Sequence, residues 1–378
     1  MSQIKRYFHQ ITRSFINKNY SGIYILILSA SLISAAPLLS QAPGGLIKLK
    51  KPDETDQAYK ARMRKAYLHL SGSGINNNSL NEIFEYPSLK TLILKSTQVN
   101  GGGLSIIRQH PEINYLSLER TYIGDGSVSI ISGMKSLYML DLSYTGVSDA
   151  GLQRLKNNSI SFINLSGNNL SANSPRYIVE NFPNLRRLDL MSVPLTDDSI
   201  AMLTGRKSMK ELTEEISKDT GGREEDYFTK PKKNVKLENR GLKKLIDINI
   251  AGAEITERGL AALSILKDIK ILDLAATNIK PEGYGHLRRF KNLEVLSISG
   301  TSIGDSEIDL LNDLKKLKVL SLENTAISDR GLKKLSKHPS LYSVYLKDSL
   351  VTQKGIDKFK EKKPLCKIDH SKFKADGI

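Results

Sequence analysis

The side chains that could carry out chemistry are few and scattered along the chain. There is one cysteine, Cys366, and there are six histidines, none of them in a spacing typical of a metal site, a catalytic nucleophile or a phosphate-binding loop. Only His69 falls where it would face the open side of a predicted strand, and one histidine does not form a catalytic constellation. We therefore predict a protein that is not an enzyme, with no catalytic residue, metal ion, cofactor or small-molecule substrate.

A second group of side chains has the composition of a binding surface. Large apolar residues and charged or amide residues flank short pairs of leucines, mainly in the N-terminal half of the chain. Aromatic residues and methionine beside charges are typical of the energetic centres of protein interfaces. The candidate partner-binding residues in this group are Tyr67, His69, Tyr115, Met139, Asp141, Phe162, Asn164, Arg187 and Asp189. The equivalent valines and isoleucines of the C-terminal half are expected to pack on their neighbours instead.

The leucine pairs that would position these residues recur at a spacing of mostly 24 residues. Alternation with a period of two places both members of a pair on the inner side of a short strand. A unit of this size cannot bury its apolar face alone, so the copies must stack on one another. The eleven pairs are Leu68/Leu70, Leu92/Leu94, Leu116/Leu118, Leu140/Leu142, Ile163/Leu165, Leu188/Leu190, Ile248/Ile250, Leu272/Leu274, Leu296/Ile298, Leu320/Leu322 and Val344/Leu346.

Other residues recur at fixed distances from each pair. Threonine follows three residues after the second leucine, as at Thr97 and Thr325, where a hydroxyl can satisfy backbone groups left unpaired at a turn. Serine or threonine and then an acid, as in Ser328-Asp329, predicts a helix N-cap with a favourable charge in the first turn. Glycines such as Gly331 are expected to let each helix lie close to its strand.

The repeating form L-x-L-x-x-T-x-I-x-D-x-G-L resembles the leucine-rich repeat family. It is similar to the bacterial variety with threonine at the usual asparagine position and to the helix-bearing repeats of F-box-associated proteins. The resemblance covers about residues 66–362 and implies an α/β fold. That fold would be a curved solenoid with a parallel sheet on its concave side and helices on its convex side, built from about 11 regular 24-residue repeats plus one degenerate repeat. It implies protein binding only by association, because the scaffold serves many partners.

The repeat is interrupted at 207–242, where 36 residues stand in place of 24. Lys207–Leu212 begins in register, so the segment is predicted to be a degenerate repeat that carries a loop insertion of about 12 residues. It is either a tolerated surface insertion, since loop length is inexpensive, or a contact loop. In the second case Tyr227 and Phe228 are candidate anchors for a partner.

The two ends of the chain are predicted to differ from the repeats. Residues 1–40 combine a basic stretch with an apolar run at 22–39, which indicates export and either a retained membrane anchor with a cytoplasmic N-terminus or a cleaved signal. Residues 41–52 are predicted to be a linker, 53–65 a capping helix and 363–378 a C-terminal cap. We expect the membrane to be a partner through the N-terminal segment.

The charge of the chain restricts the remaining alternatives. Its formal net charge is +16, but the lysines are interspersed with acids and form no single basic stripe with aromatics, so nucleic acid is not the expected partner. The favoured prediction is an exported module that recognises a protein through its concave face. A secreted effector that acts inside a host cell and an envelope-associated structural spacer remain open as alternatives.

Overall fold

The computed structural model describes residues 66–72, 74–220 and 239–370, together with positions 55, 57, 58 and 61. Twelve three-residue strands form one parallel sheet in chain order, so each strand pairs only with its neighbours in sequence. The pairing aligns the first leucine of each pair, for example Leu116 with Leu140. The strands are β1 (Tyr67–His69), β2 (Thr91–Ile93), β3 (Tyr115–Ser117), β4 (Met139–Asp141), β5 (Phe162–Asn164), β6 (Arg187–Asp189), β7 (Asp247–Asn249), β8 (Ile271–Asp273), β9 (Val295–Ser297), β10 (Val319–Ser321), β11 (Ser343–Tyr345) and β12 (Lys367–Asp369).

Helices connect successive strands. The α-helices of the described residues are α1 (Gly101–Ile107), α2 (Asp149–Arg154), α3 (Ser174–Asn181), α4 (Asp197–Leu203), α5 (Met209–Thr220), α6 (Glu257–Leu263), α7 (Ile308–Leu311), α8 (Asp329–Leu335) and α9 (Gln353–Lys362). Three further connections contain 3₁₀ helices, at Asn78–Glu85, Val128–Gly133 and Pro281–Arg289. The alternation of parallel strands and helices confirms the predicted leucine-rich repeat solenoid.

The core lies between the sheet and the helices. The strand leucines and the helix apolar residues are almost all fully buried in one continuous cluster, as Leu92, Leu104 and Leu332 illustrate. Because each repeat buries its apolar residues against the next, stability spreads along the ladder rather than residing in one central core. Cys366 is buried at the end of the same cluster, which fits its interpretation as a small apolar residue.

The turn after each strand is held by the recurring threonine, as predicted. In six repeats its hydroxyl donates to the carbonyl oxygen three residues earlier at 2.6–2.8 Å. Asn168 serves the same turn through its amide, which donates to Leu142 and Leu165 carbonyls at 2.7 and 3.0 Å. The residue just before this position adopts a left-handed backbone, for example Ala276 at φ 54° and Gly300 at φ 64°.

The helix-capping prediction is confirmed, and the acid beside the cap has a further role. The hydroxyl of Ser328 accepts from the Arg330 backbone N–H at 3.2 Å. Ser328 is in turn bound by Asp305 of the preceding repeat, which accepts from its backbone N–H at 2.9 Å and from its hydroxyl at 2.5 Å. The carboxylate of one repeat therefore fixes the helix start of the next.

The predicted reason for the helical glycines is wrong. A Cβ on Gly331 would lie 2.3 Å from an Asp305 carboxylate oxygen, and one on Gly259 would lie 2.3 Å from that of Asp197. These glycines make room for the carboxylate of the preceding repeat rather than for the strand of their own repeat. The sequence could not show this, because the two groups belong to different copies.

The interrupted repeat also differs from its prediction. β6 pairs directly with β7, so the described part of 207–242 adds no strand. Met209, Leu212 and Ile216 are buried on one face of α5, and their spacing has the period of a helix rather than the period of two that a strand requires. Backbone N–H groups of Arg240 and Leu242 return to the carbonyls of Thr204 and Leu203 at 3.1 Å each.

Several predictions concern residues outside those described. These are the signal or anchor at 1–40, the linker at 41–52, most of the capping helix at 53–65, the anchors Tyr227 and Phe228, and the end of the C-terminal cap beyond 370. At the C-terminal end, β12 extends the ladder and half-buries Ile368. Every helix among the described residues is too short or too polar to cross a bilayer.

Candidate functional site

The concave face of the sheet holds a groove that runs across β3 to β8, with a cavity volume of about 120 Å³. Two columns of outward-facing strand residues form it. The outer column consists of the first residue of each strand, and the inner column consists of the third residue. Register pairing places Tyr115, Met139, Phe162, Arg187, Asp247 and Ile271 side by side in the outer column.

The outer column supplies the apolar part of the groove. Tyr115 and Met139 are half-buried, and Phe162 is 8% exposed. The ring of Phe162 lies edge-on to that of Tyr138, with 5.0 Å between centroids. The guanidinium of Arg187 lies 5.6 Å from the centre of the Phe162 ring and forms an ion pair with Asp247.

The inner column supplies carboxylate and amide oxygens. In five successive strands, the side-chain oxygen of this residue accepts from the backbone N–H two residues later. The distances are 3.0–3.1 Å throughout. These Asx turns hold the chain as it leaves the sheet. The five residues are Asp141, Asn164, Asp189, Asn249 and Asp273.

Burial shifts the carboxyl groups of the groove toward the neutral form. It raises the pKa of Asp189 to about 7, against hydrogen bonds from the Met191 backbone and Asn249 that favour the carboxylate. It raises the pKa of Asp273 to about 6. The pKa of Asp247 is also raised by burial, although the Arg187 charge opposes that effect. Carboxyl groups perturbed in this way concentrate at functional sites.

Seven of the predicted binding residues meet in this groove, and four do not. Tyr67 and His69 lie on β1, where their rings are 6.4 Å apart in an edge-on contact beyond the groove lining. Tyr227 and Phe228 are outside the described residues. The seven that meet are Tyr115, Met139, Asp141, Phe162, Asn164, Arg187 and Asp189.

Sequence reasoning missed the far end of the groove. Asp247, Asn249 and Asp273 line it together with Ile271, but they follow the interrupted repeat and were not selected as partner-binding residues. Arg187 and Asp247 are 60 residues apart in the sequence, yet their strands are neighbours. Aligning the repeats by their strand leucines could have identified these residues, because Asp247 and Asp273 fall in register with the predicted ones.

The concave face of β9 to β11 is closed by packing, as predicted for the small apolar residues. Val319 and Tyr345 are 7% and 8% exposed and pack with the half-buried Ile271 and Val295. On the same strands Ser297 and Ser321 replace the acids of the inner column, and Ser321 is fully buried. This part of the sheet offers little side-chain surface to a partner.

In the part of the chain that the structure describes, no cluster of three His, Cys, Asp or Glu could hold a metal ion.

The strand register and the connecting helices together define a scaffold of stacked strand–helix repeats. The family described as "Leucine Rich repeat" matches residues 313–336, one complete copy of the repeat. Its strand, β10, is one of the twelve that pair in the same register. The fold is that of a leucine-rich repeat protein.

Solved structures offer similar folds at low sequence identity. The internalin inlF from Listeria monocytogenes is 14% identical, with a TM-score of 0.49 over 83% of this chain and 89% of that one. A second internalin of that species, inlC2, is 18% identical, with a TM-score of 0.36 over 72% of this chain and 84% of that one. The plant peptide hormone receptor RGFR1, solved in complex with RGF2, is 18% identical, with a TM-score of 0.40 over 78% of this chain and 40% of that one. Comparison with curated proteins finds no match.

Proposed function

We propose that the protein is a non-enzymatic recognition module that binds a protein partner through the concave groove of β3 to β8. The observation that carries this proposal is the groove itself, in which half-buried aromatic and methionine side chains lie beside buried carboxylates. Such surfaces combine a large apolar area with charges that fix orientation, which is the composition of interface hot spots. On β9 to β11 most of the concave side chains are buried against one another, so a partner has more accessible apolar surface in the groove than on those strands.

A cross-linking experiment tests the position of the interface. A photo-reactive phenylalanine analogue would replace Tyr115 in the groove or, as a control, Tyr122, which is 73% exposed and lies outside the groove lining. We expect one discrete cross-linked protein from the Tyr115 position in the native cells and none from the Tyr122 position. Cross-linking from both positions alike, or from neither, contradicts a concave-face site.

A loss-of-function experiment tests the contribution of the apolar column. The double change Tyr115→Ala and Met139→Ala removes two half-buried side chains, whereas Phe162 is buried and also supports the fold. We expect capture of the cross-linked partner to fall by at least about tenfold, because hot-spot truncations cost about 2 kcal/mol or more. Circular dichroism should stay unchanged. Full capture by the double variant would exclude these residues from the interface.

Export and membrane tethering form a separate part of the proposal. They are supported by the basic residues before position 20 and the apolar run at 22–39. Mass measurement of the mature N-terminus, combined with cell fractionation, distinguishes a retained anchor from a cleaved signal. A chain cleaved near position 40 and recovered from host cytosol would favour the effector alternative, and an intact cytosolic chain would contradict export.

A further inference from the structure

The groove carries a charge opposite to that of the whole molecule. Five acids line it and Arg187 is its single base among the described residues, although the chain has a formal net charge of +16. The ion pairs of the described residues include Arg187 with Asp247 but none with three of the acids. The three acids without a cationic partner are Asp141, Asp189 and Asp273.

The local fold does not require these three charges. Asn164 and Asn249 stand in the same column and make the same turn, accepting from the backbone N–H two residues later at 3.0 Å. Asp141, Asp189 and Asp273 make it at 3.0–3.1 Å. An amide therefore supplies the structural role at no charge, whereas an unpaired buried carboxylate destabilises the fold. The acids also accept from neighbouring serine hydroxyls, as Ser117 and Ser166 donate to Asp141 and Asp189 at 3.2 and 2.5 Å, but only their negative charge offers a site for a cation.

Two guanidinium groups, one in the groove and one beside it, already lie against an aromatic ring and a carboxylate. Arg187 lies between the Phe162 ring and the Asp247 carboxylate. A second guanidinium, that of Arg120, lies 4.6 Å from the centre of the Tyr144 ring and 2.7 Å from a Glu119 oxygen. Both combine an aromatic face with a carboxylate, an arrangement that favours guanidinium and ammonium groups.

The spacing of the three unpaired acids restricts the shape of a ligand. They lie on β4, β6 and β8, so one acid occurs on every second strand, with an asparagine on each strand between. Neighbouring strands are about 4.8 Å apart, which places the acids roughly 9.6 Å from one another. A polyproline II segment advances about 3.1 Å per residue, so side chains three residues apart recur every ~9.3 Å on one side.

We propose that the groove binds an extended polyproline II segment of the partner protein with lysine or arginine at every third residue. The segment lies along the ladder, places its basic side chains against Asp141, Asp189 and Asp273, and packs its intervening residues on Met139, Phe162 and Ile271. This inference rests on the proposed protein-recognition function and names the chemistry of the segment recognised. It follows from a coincidence of charge, spacing and apolar surface at one site.

Two peptides of identical composition test the inference against the full-length protein. One is a proline-rich nonapeptide with lysine at every third position, and the other has its three lysines contiguous. Calorimetry at pH 8 should give a Kd about tenfold lower for the spaced peptide, because only its charges can meet three separated carboxylates at once. Equal affinity for the two peptides, or no binding of either, overturns the inference.

Matched variants identify the site. Asp189→Asn keeps the backbone turn and should weaken the spaced peptide about tenfold while leaving the contiguous one nearly unchanged. Glu361→Gln makes the same change of charge on the exposed face of α9 and should leave both unchanged. An equal effect of the two variants overturns the proposed site. If the peptides fail but Tyr115 still cross-links a partner, the recognition function stands and only this inference falls. If Tyr115 also fails, the function itself is contradicted.

Discussion

The strands β4 to β8 and the strands β9 to β11 are built on the same repeat but present different surfaces. In the first region the inner column is acid or amide and the outer column is large, and both line a groove. In the second, Ser297 and Ser321 occupy the inner column and Val319 packs against Tyr345. The backbone register is the same in both. The contrast teaches that one scaffold accommodates both a groove lined by polar and large side chains and a surface closed by packing.

Placing an acid like those of the groove on the closely packed strands β9 to β11 should have the largest effect on the free energy of unfolding. Ser321→Asp would place a carboxylate at a fully buried position between Ser297 and Tyr345 of the neighbouring strands, neither of which is a cation. We expect a loss of unfolding free energy on the order of 3 kcal/mol, because a buried unpaired charge is poorly solvated. Chemical denaturation at pH 8 measures it, with Ser321→Ala as the control. A loss below that of the alanine variant would mean that the two regions do not differ.

The reverse change in the groove should stabilise the fold. Asp189→Asn keeps an oxygen for the Met191 backbone N–H but removes a carboxylate whose pKa is raised to about 7 by burial. We expect a gain on the order of 2–4 kcal/mol at pH 8, from the difference between that pKa and the ordinary value near 4. Urea denaturation of both proteins measures it. A lower stability of the variant at pH 8 would contradict the inference that the Asp189 charge destabilises the fold.

The difference in stability between the wild type and the Asp189→Asn variant should depend on pH. A folded-state pKa above the unfolded value gives stability that is complete below about pH 4 and is lost as the pH rises through about 7. The gain from Asp189→Asn should therefore vanish near pH 4 and grow toward pH 8. A gain independent of pH would point to packing instead. The polar and charged groups that face Asp189 are Asn164, Ser166, Asp247, Asn249 and Asp273.

Shortening a side chain of the outer column should also affect stability differently in the two regions, but by a smaller amount. Val319→Ala removes methyl groups that pack against Tyr345 and should cost about 1–2 kcal/mol. Met139→Ala, at a half-buried groove position, should cost less than about 1 kcal/mol and act mainly on partner capture. Thermal unfolding and the cross-linking yield from Tyr115, both measured on the two variants, test whether Val319 acts mainly on stability and Met139 mainly on partner capture. A larger stability loss from Met139→Ala would reverse the assignment of roles.

The smallest effect concerns a feature that both regions share. Ala276 holds a left-handed backbone at φ 54°, where the equivalent residue of the next repeat is Gly300. Ala276→Gly should stabilise the protein by about 0.5–1 kcal/mol, the relief of strain less the entropy of glycine in the unfolded chain. Its neighbour provides the control, since Ala275→Gly should lower stability. Thermal unfolding of the two variants should therefore shift in opposite directions.

The sequence predicts most of the scaffold because each scaffold residue recurs. The leucine pairs, the threonine of the turn and the serine or threonine caps were all found where repetition placed them. Features that join different copies were missed, such as the contact between Asp305 and Gly331. The left-handed position was also missed, because glycine marks it in some repeats while Ala276 and Tyr144 occupy it in others.

The candidate site was predicted only up to the interruption of the repeat. Residues from Tyr115 to Asp189 were selected because they deviate from the regular copy and are consecutive in register. Asp247 was missed because 60 residues, including the interrupted repeat, separate it from Arg187, although their strands pair directly. The helical period of α5 was the available signal that this segment leaves the ladder.

The closure of the interrupted repeat has a practical consequence for engineering. The backbone of Arg240 bonds that of Thr204, and α5 reaches α6 through a bond from Arg258 to Thr213 at 3.2 Å, on the side of the sheet opposite the groove. β6 and β7 pair directly, in the same register as the other strands. A fluorescent dye attached to a cysteine placed by Glu214→Cys, an exposed position of α5, would travel with the protein while leaving the concave face clear. The chain thus offers its own attachment point for following the molecule in cells.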